Sequence, residues 1–119
     1  MTQNKIGLLV LRFGLVAVYV YFGISQLMDA GDWADMVPSW APAISGLSAV
    51  TVVYLNGVFE LVFAGLLALG LWVRPVSFIL AIHLGLITYI VGWNSIGARD
   101  FGLTMATLAH GFFYRLSPR

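Results

Sequence analysis

Asn56-Gly57-Val58-Phe59-Glu60-Leu61-Val62-Phe63-Ala64-Gly65-Leu66-Leu67-Ala68 sets one carboxylate in the middle of an apolar run covering residues 49–72. Crossing the hydrocarbon of a bilayer takes roughly 20 apolar residues at about 1.5 Å rise each, and this run is long enough. An ionisable group at that depth costs roughly 2.5–3.5 kcal/mol on insertion scales, so it is normally paired, protonated or turned toward a cavity. Glu60 is therefore the first candidate for a functional site, and the rest of the chain has to accommodate it.

The composition agrees with a membrane setting. Hydrophobic residues make up 61% of the chain and charged residues 9%, and the mean hydropathy is +0.94. Soluble domains carry about 25% charged residues. The 119 residues hold four spans with short connections as a single transmembrane domain over 1–119. Any catalytic domain is then expected on a separate chain. The net charge of +1 and the lack of a basic run give no reason to expect nucleic acid as a partner. The absence of cysteine excludes disulfides, thiolate metal sites and thiol redox chemistry.

Working outward from Glu60, span one is expected over 6–28. It does not read as a signal peptide, because the apolar stretch is long, Arg12 interrupts it and no clear cleavage site follows. Arg12, Tyr19 and Gln26 recur every seven residues, which puts them on one helical face with Lys5 and Gly23. Val10, Phe13, Ile24 and Met28 fall on the other face, where lipid is expected. A loop over 29–48 follows, carrying Asp29, Asp32 and Asp35 with Trp33 and Trp40. Indoles suit the headgroup level, so this is an interfacial outer loop, or a lid over an entrance between helices. A short helix is expected over 32–37, ended by Pro38, with Pro42 and Gly46 keeping the remainder irregular.

Span two covers 49–72, and Asn56, Gly57 and Ala64 share the side of Glu60, where small residues admit a close neighbour. Span three covers 75–93. Ser77, Ala81, Gly85, Thr88 and Gly92 form a small-residue packing face, with His83 nearly opposite among Val76, Ile79, Leu86, Ile87 and Ile90. His83 is then a neutral imidazole at lipid or the bundle rim, or a contact for a partner or ligand. Span four covers 98–116, with Arg99, Ala106, Thr107, His110 and Tyr114 on one arc. His110 is the better interior histidine, bonded to a backbone carbonyl, to Tyr114 or to a ligand. Lys5, Arg12, Arg74, Arg115 and Arg119 gather at one side and Arg99 alone at the other. The positive-inside rule then places both termini in the cytoplasm of a bacterial or archaeal cell.

The expected architecture is thus an all-α, integral membrane four-helix bundle with a layered polar interior. Gln26, Arg99 and Asp100 form an outer layer, and Arg12, Asn56, Glu60, His110 and Tyr114 a core. Arg12 is the expected ion partner of Glu60, with His110 bridging. A buried ion pair that sets helix register explains such a core. So does a pocket for a quinone-like headgroup or a proton relay. No other cofactor is evident, and there is no phosphate loop, nucleophile–base pair or metal signature. Glu60, His83 and His110 would hold a metal only if His83 turned inward, against its face.

Arg12-Phe13-Gly14-Leu15-Val16, Tyr21-Phe22-Gly23-Ile24-Ser25-Gln26-Leu27, the acidic-aromatic loop, Glu60 through Arg74 and Arg99-Asp100-Phe101-Gly102-Leu103 come in an order and spacing that resemble the DoxX family of small four-helix membrane proteins. Gln26 stands where that family often has Lys. The resemblance implies a four-helix bundle associated with membrane oxidoreductases, the small subunit of a thiosulfate:quinone oxidoreductase among its members. It puts Arg12, Glu60, Arg99 and Asp100 at family motif positions. The expected function is a non-catalytic small subunit or membrane anchor of a quinone-linked redox complex, partnered by the bilayer and another membrane or membrane-associated subunit. A small proton-coupled transporter using Glu60, or a purely structural subunit, are the alternatives.

Overall fold

The computed structural model describes residues 3–114. Arg115, Leu116 and Arg119, which bear on the expected end of span four and on the charge bias, lie outside them. The described residues form six helices and no strand, in the order α1 Gln3–Met28, α2 Ala30–Ala34, α3 Trp40–Ser45, α4 Ala49–Leu69, α5 Val73–Val91 and α6 Ser95–Phe113. The molecule measures 49 × 27 × 22 Å. α1, α4 and α5 are long and apolar enough to cross a membrane. α6 has the 19 residues of α5 but is more polar.

Local chemistry sets the helix ends. Ser48 caps α4 by accepting the Thr51 N–H at 3.2 Å. Its far end closes at Gly70, in the left-handed region at φ 76°. Leu71 N–H bonds Leu66 O at 2.9 Å and Gly70 N–H bonds Leu67 O at 3.1 Å, a Schellman closure. α4 therefore stops three residues short of the expected 72. Trp72 continues the turn at φ 48°, a conformation costing a non-glycine residue roughly 1–2 kcal/mol. α5 then starts at Val73, with Pro75 in its first turn, where no backbone N–H is missed. Between α5 and α6, the Asn94 side chain accepts the Gly97 N–H at 2.8 Å. A Cβ on Gly97 would run into the Gly92 carbonyl, so only glycine fits this tight turn, and α6 begins at Ser95 rather than 98.

The connection between α1 and α4 departs from expectation. Helix forms over Ala30–Ala34 instead of 32–37, and a second short helix, Trp40–Ser45, takes Pro42 into its first turn. Trp33 Nε1–H donates to Ser25 Oγ at 2.9 Å and tethers α2 to the end of α1.

The long helices pack as two antiparallel pairs, α1 with α4 and α5 with α6, joined by sparser α4–α5 and α1–α6 seams. α1 and α4 meet backbone to backbone. A Cβ on Gly57 would lie 3.0 Å from the Gly23 carbonyl oxygen, and one on Gly23 would lie 2.7 Å from Leu61 Cγ. Leu15, Tyr19, Ala64, Leu67, Val73, Val76, Leu80 and Leu84 form the core. Val10, Phe13, Ile24 and Met28 are exposed on the outer face of α1. On α5, Ser77 and Ala81 are buried as the small-residue face requires, but so are Val76, Leu80 and Leu84. α5 touches both α4 and α6, so it has two packed faces rather than one, and Val76 belongs to the core rather than to lipid.

The crossing makes a testable demand. Gly57→Val forces the two backbones apart and is expected to destabilise the fold by about 1–3 kcal/mol. Gly65→Val, where an added Cβ meets nothing within 4 Å, is expected to leave stability nearly unchanged. Unfolding of both variants in mixed micelles, followed by circular dichroism, checks the contrast.

Candidate functional site

At the end of the molecule carrying α2 and α3, the long helices and these short ones form a half-open cavity of about 200 Å³. Its lining is mostly carbon: Phe22, Val53, Leu84 and Ile87 on the walls, with Trp33, Pro38 and Trp40 above. The exceptions are Gln26, Asn56, Glu60, Arg99 and Asp100.

These polar groups are organised around one gap. Asn56 Nδ2–H donates to Gln26 Oε1 at 2.8 Å, tying α4 to α1. Asn56 Oδ1 accepts from His83 Nε2 at 2.5 Å, which requires the proton on that nitrogen. The His83 ring lies 4.3 Å from the Phe59 ring, itself stacked on Phe63. Arg99 binds Asp100 through Nε at 3.1 Å and Nη2 at 3.0 Å, with its guanidinium 4.7 Å over the Phe22 ring. Asn56, His83 and Arg99 thus each direct a donor to another side chain. Glu60 is only 2% exposed, and its Oε2 has no hydrogen-bond partner among the described residues. A buried acceptor left open in this way costs about 1–3 kcal/mol. It is the group here that a ligand or a water would complete.

A second polar group sits toward the α4–α5 turn. His110 Nδ1 pairs with Ser77 Oγ at 2.8 Å, and its ring lies 5.9 Å from that of Tyr114. A Cβ at Gly70 would lie 3.4 Å from an Arg12 Nη1. The guanidinium is thus beside the C-terminal end of α4, where the helix dipole favours a cation. His110 Nε2 and Arg12 Nε are buried without partners among the described residues. Between the two ends, Thr107 O–H donates to Leu103 O at 2.8 Å, so its oxygen accepts from Tyr19 O–H at 2.9 Å.

Three expectations are corrected by this arrangement. Arg12 does not pair with Glu60: Gly70 is ten residues beyond Glu60, about 15 Å along α4, and Arg12 is at Gly70. His110 and Tyr114 belong with Arg12 rather than bridging to Glu60, and the partner of His110 is Ser77. His83 is half-buried and bonded to Asn56 rather than turned to lipid. The anticipated core thus divides: Asn56 and Glu60 join Gln26, Arg99, Asp100 and His83, while Arg12, His110 and Tyr114 gather at the opposite end. Phe22, Trp33, Pro38 and Ser77 were not foreseen as site residues. Trp33 and Pro38 sit in the loop flagged as a lid, whereas Phe22 carried no polar signal.

Long apolar helices packed around a half-open cavity with a polar floor are the make-up of a small helical integral membrane protein. The DoxX family model matches residues 7–93, and the chain belongs to the DoxX family. The match takes in α1 through α5, Glu60 included, and stops before Arg99 and Asp100. Neither a curated protein nor a solved structure matches the chain.

A double-mutant cycle of Arg12→Gln with Glu60→Gln, read by unfolding in mixed micelles, is expected to give a coupling within about 0.5 kcal/mol of zero. Asn56→Leu removes two side-chain hydrogen bonds, each worth about 0.6 to 1.7 kcal/mol in membrane proteins, and is expected to be clearly destabilising in the same measurement.

Proposed function

We propose that this chain is a non-catalytic small subunit or membrane anchor of a quinone-linked redox complex, and that its cavity takes a quinone-like headgroup. The observation that carries the reading is Glu60, a buried carboxyl with an open oxygen in a cavity lined mostly by carbon. An apolar cavity of about 150 Å³ suffices for benzene, so about 200 Å³ accommodates a substituted ring. Flat carbon walls with one or two convergent polar groups are the usual make-up of such sites. A hydroquinone hydroxyl can donate to Glu60 Oε2, filling the vacancy that the protein's own donors leave. The association of the DoxX family with membrane oxidoreductases points the same way. Helices and short connections use up the described residues, so the redox centre that exchanges electrons with the quinone is expected on a partner chain.

All four long helices, α6 included, are taken to span the cytoplasmic membrane of a bacterium or archaeon, with both termini inside. Lys5, Arg12 and Arg74 lie at the α4–α5 end, whereas Asp29, Asp32 and Asp35 lie at the α2–α3 end. The side chains of α6 suit a span whose polar residues turn inward: Asp100, Thr104, Thr107 and His110 are buried, while Phe101, Met105 and Phe112 are exposed.

Trp33 and Trp40 line the cavity, so a bound quinone is expected to quench tryptophan fluorescence saturably in the purified protein. Glu60→Gln keeps the shape but exchanges one accepting carboxyl oxygen for a donating NH2, and is expected to weaken hydroquinone binding about tenfold, or 1.4 kcal/mol. Quenching that never saturates, or is indifferent to Glu60→Gln, would exclude the headgroup reading. Co-purification in mild detergent is expected to bring down an oxidoreductase, and recovery of the chain alone would remove the subunit role.

The cysteine-free sequence makes orientation directly measurable. Ser39→Cys is expected to react with a membrane-impermeant maleimide on intact spheroplasts, and Leu71→Cys only after permeabilisation; the reverse pattern would invert the topology.

A further inference from the structure

A groove of about 380 Å³ runs down the outside of the molecule along the α1–α6 seam, lined by Ala17, Val18, Tyr21, Phe22, Arg99 and Leu103. Phe22 and Arg99 also line the cavity that holds Glu60. The two spaces are therefore neighbours separated by one aromatic ring and the guanidinium over it, 4.7 Å apart. Asp100 holds the guanidinium in place from the cavity side.

We infer that the ligand enters from the lipid through this seam, that the Phe22–Arg99 pair is its gate, and that the ligand is consequently an isoprenoid-tailed quinone rather than a tail-less, water-borne ring. The inference rests on the headgroup reading of the cavity and adds to it a route and a substrate class.

Two other approaches are held by specific contacts, and the α4–α5 seam, also sparse, lacks, among the described residues, a groove sharing Phe22 and Arg99 with the cavity. α1 and α4 are locked backbone to backbone at Gly23 and Gly57. On the water side Trp33, Pro38 and Trp40 cover part of the cavity. Trp33 is anchored by its bond to Ser25 and stands edge-on to Phe22, 5.9 Å between centroids. The α1–α6 seam is sparsely packed, as α4–α5 is, and its groove is the one that shares Phe22 and Arg99 with the cavity, with Ala17 and Val18 leaving it carbon-lined where it faces the bilayer. From Phe22 to Ala17 the groove descends five residues, about 7.5 Å toward the bilayer centre. A headgroup held at Glu60 can thus leave its tail in the groove and then in hydrocarbon. The tail gains little from the groove over lipid, because both are apolar. Its effect is on access, so the signature is a rate.

Ala17 is exposed and lies outside the cavity, so Ala17→Phe fills the groove without touching the headgroup site. In nanodiscs, stopped-flow tryptophan quenching compares a decyl-tailed benzoquinone with the same ring lacking a tail. Ala17→Phe is expected to slow association of the tailed quinone about tenfold and to leave the tail-less ring unchanged. Phe22→Ala, which removes the gate, is expected to speed the tailed quinone. If the native protein binds both quinones and Ala17→Phe slows neither, or slows both alike, the lipid route falls while the headgroup site stands. If the native protein binds neither, both readings fall together.

Discussion

The contact on which the structure depends is the crossing of α1 and α4 at Gly23 and Gly57. With no Cβ on either helix, the backbones approach until one glycine's carbonyl faces the other's α-carbon. Helices that close cannot slide, so the crossing fixes their antiparallel register along the whole pair. Three residues from Gly23, Gln26 meets Asn56. Eleven residues in the other direction, Arg12 comes to Gly70. One contact therefore gives Asn56 its partner and holds the cation of α1 about 15 Å from Glu60.

That separation explains why Glu60 stays open. A carboxylate at membrane depth is ordinarily matched by a nearby cation, and the candidate, Arg12, is committed to the far end of α4. Arg99 is nearer but is bound to Asp100. The cavity end thus carries two carboxyl groups against one guanidinium, and the opposite end a guanidinium and an imidazole with no carboxyl among the groups described around them. An ion pair between Glu60 and Arg12 would have locked helix register and left no vacancy. The register is instead locked by glycine packing, which leaves the carboxyl available to whatever enters the cavity.

Much of the fold was legible because it follows from short-range rules. Length and hydropathy gave the apolar helices, the seven-residue recurrence gave the polar face of α1, and the order of motifs gave the family. The site was less legible because periodicity fixes the angle of a side chain around its own helix and not its height against a neighbour. Arg12, Glu60 and His110 were each placed on an interior face, and all three are interior, but their heights separate them. His83 failed for a different reason. A helical wheel drawn around Ser77 and Ala81 assumes one packed face, and α5 has two: one against α6, where Ser77 meets His110, and one against α4, where His83 meets Asn56. Gly23 and Gly57 were both visible as small residues on inward faces. Only the folded pair shows that they face each other.

The middle of the molecule decides from which directions Glu60 can be served. Below the cavity, the axis is crossed by Tyr19 and Thr107, both fully buried. Thr107 has one hydroxyl hydrogen and gives it to the Leu103 carbonyl, so the Tyr19 hydroxyl gives its own to Thr107. That pair is satisfied as it stands and offers Glu60 no donor. Around it pack Leu15, Ala64, Leu67 and Leu80, which leave no polar path to His110 and Arg12 through side chains alone. A donor for Glu60 then comes from the cavity itself, entered past Trp33 and Trp40 or past Phe22. The roof is held by the Trp33–Ser25 hydrogen bond and the edge-on contact of Trp33 with Phe22, and the side by the same Phe22 ring under Arg99, itself bound to Asp100. Phe22 therefore belongs to both barriers, and a rotation of that one ring loosens the roof and the side together.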